Sequence, residues 1–196
     1  MKYRMKIIRL VVLCLVPFAV NAGESADKQI QYALNHNDAD AVATLLVENP
    51  VNTDAILEKY IQRDSATYAV TKVLVDNSSA RAIDAKTADK LYIKYIKLAC
   101  QNGLSSNQLD FMQNLHSLVS WDYEPLTGQT KRDLMFWVAV TDEFNYSQCV
   151  FEQLAKYKLA KGEILDIAGE VAQQYNAKNL QATVDLINSE IAKVGK

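Results

Sequence analysis

Nucleophilic catalysis needs a Ser, Cys or Thr served by a histidine, and this chain has two histidines, His36 and His116. Neither stands in a setting that such chemistry uses. His116 follows Leu115 on a segment whose Phe111, Leu115 and Leu118 are spaced to face a core, which makes it a surface or boundary residue. His36, Asp38 and Asp40 offer nitrogen and oxygen donors at alternating positions, a set that reaches one divalent cation only from an extended turn. Asp38, directly before an apolar helical run, is better explained as a helix cap. No metal and no cofactor is assigned. Asp166 and Glu170 share a helical face, but no carboxylate sits in an apolar setting that would single it out as an acid for glycoside or peptide hydrolysis. H-E-x-x-H, G-x-S-x-G and phosphate-cradling glycine runs are absent from the sequence.

Binding chemistry is better represented. Lys90, Lys94 and Lys97 form a basic stripe at helical spacing with Tyr92 and Tyr95 between them, most simply a solvated face. The connection 120–129 is more informative, because it reads Ser-Trp-Asp-Tyr-Glu-Pro-Leu-Thr-Gly-Gln and so concentrates aromatic, acidic and turn-forming residues. Trp and Tyr dominate binding energy at protein interfaces, since each gives a large apolar contact with a polar tip at low entropy cost. Trp121, Asp122, Tyr123 and Glu124 are therefore the candidate partner-binding residues. The competing reading is that Trp121 and Tyr123 fold back to plug the core.

The elements that must position these residues are helical. Apolar residues recur at spacings of three and four almost throughout, with no strand-like alternation, so the fold class is all-α. Ten short helices are expected over 26–35, 39–48, 53–63, 66–76, 87–101, 106–120, 131–144, 147–159, 163–175 and 180–194. Asp38, Asn52, Ser65, Ser105 and Thr130 can cap first turns, Pro50 ends the second helix, and Gly103 can take the left-handed position after the fifth. Sliding the chain by 28 residues aligns 41–49 with 69–77 at five identities, a third copy being absent. Two packings fit this pattern: helix pairs in a short α-solenoid-like stack, or a compact irregular bundle. The fifth helix, with Leu91, Tyr92, Tyr95 and Ile96, and the seventh, apolar on every face from Leu134 to Val140, are expected at the covered centre.

Compartment is written at the amino terminus. Lys2, Arg4, Lys6 and Arg9 precede an apolar run from Leu10 to Val20 that closes on Val20-Asn21-Ala22, the form of a cleaved secretory signal over 1–22. That run is half of the roughly 20 residues needed to span a bilayer as a helix, and no later stretch is long enough, so no stable membrane insertion is expected after cleavage. Residues 23–196 then form a single helical domain. Four of the 21 basic groups and none of the 23 acidic groups lie in the leader, leaving −6 on the remainder. An acidic exported chain is unsuited to nucleic acid. Cys100 and Cys149 are the two cysteines outside the leader, and in an oxidising compartment they are expected to form a disulfide.

These readings together describe a periplasmic or secreted, non-enzymatic helical protein that binds another protein. An envelope or secretion-system accessory factor and a toxin-immunity type protein both fit that description. The alternative is an enzyme or small-ligand carrier whose pocket between helices is lined by Tyr60, Tyr68, Tyr92 and Tyr95 with carboxylates.

Overall fold

The computed structural model describes residues 25–120, 123–126, 128–157 and 163–194. The expected signal peptide, together with Trp121 and Asp122, lies outside these residues. Ten α-helices follow one another: α1 (Ala26–Asn35), α2 (Ala39–Glu48), α3 (Thr53–Ile61), α4 (Tyr68–Asp76), α5 (Ala85–Gln101), α6 (Ser106–Asn114), α7 (Gly128–Thr141), α8 (Phe144–Lys156), α9 (Glu163–Tyr175) and α10 (Lys178–Val194). A 3-10 turn, Leu115–Leu118, extends α6. Strand structure among the described residues is a single bridge between Ile83 and Val119. The expected all-α class is the observed one.

Both expected packings are present, in different parts of the chain. α1 pairs with α2, α3 with α4 and α5 with α6, while α2 packs on α4 and α4 on α6, so the first six helices form a short stack of pairs. The 28-residue similarity falls on α2 and α4. Its shared Asn closes both helices in the same way: the Asn49 side chain donates to Leu45 O at 2.9 Å and that of Asn77 to Val73 O at 2.8 Å. The last four helices form a bundle in which α7 packs on α9, α9 on α10, α10 on α8 and α8 on α7.

α5 joins the two parts, as expected of a central helix. It packs on α6 and also on α8 and α7, and it buries Leu91, Tyr92, Tyr95 and Ile96. Cys100 near its end is paired with Cys149 of α8, with Cα atoms 5.7 Å apart, inside the usual disulfide range.

Helix starts show where local signals suffice. Asp38, Asn52, Asp84 and Ser105 each accept from the amide three residues on, and Ser105 forms a reciprocal capping box with Gln108. Two expected caps differ. α4 starts after Thr67 rather than Ser65: the Thr67 hydroxyl accepts from Val70 N at 3.5 Å, and the buried Tyr60 hydroxyl accepts from Thr67 N at 3.1 Å while donating to Asn37 Oδ1 at 2.6 Å. Thr130 lies inside the first turn of α7, whose start is set by the inward anchoring of Leu126.

Candidate functional site

The expectation of a seventh helix covered on every side is corrected by the fold. α7 is a surface helix with two faces. Leu134, Met135, Val138 and Ala139 pack into the core, and the buried Lys131 donates to Glu163 Oε2 at 2.5 Å, pinning the helix to the start of α9. Arg132 donates to Glu170 Oε2 at 2.6 Å one turn further along α9. The opposite face carries Phe136, Trp137 and Val140, which stay 37%, 50% and 57% exposed. Among the described residues α7 packs on α9, α8, α5 and α10, and these three side chains are left at the surface.

This face is organised rather than loose. The Phe136 ring meets Tyr175, at the end of α9 and 47% exposed, edge to face at 5.1 Å between centroids. Lys97 of α5 places its Nζ 3.9 Å from the centroid of the Trp137 ring, a close cation–π pair. Partial burial lowers the pKa of the Lys97 ammonium, and the charge of nearby Asp133 opposes that shift. Together these side chains form an apolar aromatic surface with a cation at its edge, near the disulfide end of α5.

In the connection between the 3-10 turn and α7, the described residues Tyr123 and Leu126 turn inward. Tyr123 is half-buried, stacked on Tyr92 with the rings nearly parallel at 6.4 Å, and its hydroxyl donates to Asp89 Oδ1. Leu126, fully buried and with φ of 56°, donates its N–H to the same oxygen at 2.8 Å. Glu124 is exposed. The fold-back reading thus describes Tyr123. Burial, followed by the hydrogen bond to Asp89, raises the Tyr123 pKa well above the ordinary phenol range, and burial with the Asp89 charge pushes Tyr92 up to about 12.

Asp89, 4% exposed, is the residue that the sequence reading passed over. The signal was present: three residues before Tyr92 and seven before Ile96, it lies on the apolar stripe of α5, where an acid must find buried donors.

Other candidates are scattered. His116 is exposed on the 3-10 turn, and exposed His36 bonds through Nδ1 to Tyr32 O at 2.8 Å. Among the described residues no group of three His, Cys, Asp or Glu side chains is arranged to hold a metal ion. Lys94 pairs with Asp64 at 2.7 Å, which divides the basic stripe. Tyr60, Tyr92 and Tyr95 are core residues, and none of the four tyrosines of the alternative pocket lines the groove between α1 and α3. No helix among the described residues is long and apolar enough to cross a membrane. Comparison with protein-family models, curated proteins and solved structures finds no match for this chain.

Proposed function

We propose that this chain is an exported, non-enzymatic helical protein that works in the periplasm or after secretion by binding another protein. Its roles are those of an envelope or secretion-system accessory factor or of a toxin-immunity type protein. The observation that supports this reading is the exposed aromatic face of α7, with Phe136, Trp137 and Val140 beside Tyr175 and Lys97. Full burial of a large apolar side chain is worth about 1.5–3 kcal/mol, and this face leaves much of that gain to a partner. Trp beside a cation is the type of group that dominates interface energy. Glu124, ahead of α7, adds an exposed acid, while Tyr123 beside it is anchored inward on Asp89. The disulfide fits an oxidising compartment.

The test is capture from a native envelope extract with residues 23–196, the disulfide formed, in parallel with Trp137→Ala and Glu124→Gln variants. Trp137→Ala is expected to lower retention of the captured partner at least tenfold while melting within about 4 °C of the parent, the lost cation–π contact with Lys97 being worth about 0.5–1 kcal/mol. Retention unchanged by Trp137→Ala moves the interface off α7. An empty capture overturns the binding reading in favour of a small ligand.

A further inference from the structure

A second surface, on different helices from the aromatic face, carries its own chemistry. α1 and α3 are the first helices of successive pairs. α2 and α4 pack directly on each other, whereas α1 and α3 pack only marginally, leaving an open groove of about 560 Å³ between them. That volume lies within the roughly 300–1,000 Å³ of ordinary ligand sites. Its accessible apolar lining comes from exposed Pro50 and half-buried Val51 and Ile56, above the buried Ile30 and Leu34. From Asp27 to Leu34 it follows α1 for two turns, about 10 Å at the helical rise. Such an elongated groove accommodates a short extended chain better than a compact small molecule.

Charge decides what can lie in it. Lys59 and Arg63, one turn apart on the α3 side, line the groove with Asp27 as the single acid. This local excess of positive charge sits in a chain of net charge −2. Arg63 is oriented by neutral acceptors: Nη1 donates to Asn35 Oδ1 at 3.0 Å, Nη2 donates to Gln31 Oε1 at 3.1 Å, and its guanidinium lies 5.4 Å from the centroid of the Tyr60 ring. The four described ion pairs use neither Lys59 nor Arg63. A guanidinium held in place by amides keeps its full charge and spare N–H groups for an incoming anion, and carboxylate is the planar acceptor that it fits best.

We infer that the α1–α3 groove binds a short apolar peptide segment through a carboxylate that meets Lys59 and Arg63, with its side chains on Pro50, Val51 and Ile56. Two sources supply that carboxylate, a peptide carboxyl terminus and an acidic side chain. The groove shares no residue with the α7 face, so this inference extends the binding reading without depending on where the first partner sits.

The experiment uses the disulfide-bonded chain 23–196 and three degenerate pentapeptide mixtures of Leu, Ile, Val and Phe. One mixture has free acid ends, one has amide ends, and one has amide ends with a single internal Glu. Retained peptide is quantified by mass spectrometry at millimolar total peptide. The expected result is at least tenfold preference for the free-acid or the Glu mixture over the plain amide mixture, which also identifies the source of the carboxylate. Lys59→Gln, which leaves every bond of Arg63 in place, should reduce that preference severalfold, and Arg63→Gln should abolish it. Trp137→Ala should leave it unchanged. Equal retention of all three mixtures, insensitivity to both groove variants, or no retention overturns the inference. Partner capture that depends on Trp137 would survive that failure, so the two readings fall separately.

Discussion

The two halves of this molecule are held by different kinds of information. In the stack α1–α6, five helices are capped by a side chain that accepts from an amide three residues away, and the same Asn C-cap closes α2 and α4. In the bundle α7–α10, caps come from a distance. Asp142, at φ of 43° in the turn after α7, accepts from Asn179 N at 2.9 Å and, through its main-chain carbonyl, from the Asn179 side chain at 2.6 Å, so that one turn of the bundle caps the start of another helix 37 residues on. α8 begins at Glu143 with no side-chain cap hydrogen bond. Short-range signals allow a stack to assemble pair by pair, whereas long-range caps make the bundle form as one unit.

The largest expected effect comes from cutting the link between the halves. Cys100 and Cys149 close a loop of 49 residues, and Cys100→Ser with Cys149→Ser should cost roughly 4 kcal/mol in urea unfolding by the chain-entropy relation. A shift below about 1 kcal/mol would mean that the packing of α5 on α8 alone joins the halves.

A smaller effect separates distant from local capping. Asp142→Ala is expected to cost about 2 kcal/mol and Asp38→Ala about 1 kcal/mol, because the first removes a cap and a cross-bundle tie together. Amide exchange adds the sharper contrast: Asp142→Ala should speed exchange in α7, α8, α9 and α10 as a unit, and Asp38→Ala only in α1 and α2. Exchange confined to α10 after Asp142→Ala would end the view of the bundle as one cooperative unit.

The mildest perturbation is alkaline pH, which addresses the seam. Burial first, then neighbouring acids, pushes Tyr92 and Tyr95 of α5 up to about 12 and Tyr123 higher still. An ordinary phenol ionises near 10. Because the folded values are raised, the stabilisation is complete below pH 10 and is lost as pH rises through about 12. Melting temperature should hold to pH 10 and then fall, with the 295 nm phenolate absorbance of these residues appearing together with unfolding. Ionisation of all nine tyrosines of residues 23–196 near pH 10 in a chain that stays folded would place Tyr92, Tyr95 and Tyr123 in contact with water.

Legibility followed the same division. α1, α2 and α9 begin and end where the apolar period and capping residues place them, and Gly103 takes φ of 77° after α5 as expected. Such features depend on residues within one turn of each other. α4 starts two residues later than the apolar period places it, because Thr67 caps Val70 N and is itself held by the hydroxyl of Tyr60, seven residues back and in the core. The candidate site divided likewise. Aromatic residues were recognised as interface material, but periodicity cannot tell a helix covered on two sides from one covered on a single side, and α7 is the latter. The inward turn of Tyr123 rests on Asp89, 34 residues away in sequence.

By itself, the sequence determined that the chain is helical, where half of the helices start, that two of them repeat, and which cysteines are available to pair. All of these are properties of near neighbours or of residue type. Tertiary structure alone decided that pairs stack in the first half and close into a bundle in the second. It also decided that Phe136 and Trp137 face outward, and that α1 and α3 stand apart over a groove carrying Lys59 and Arg63. Exposure is set by which helix fails to arrive over a face, and that depends on the packing of every other helix.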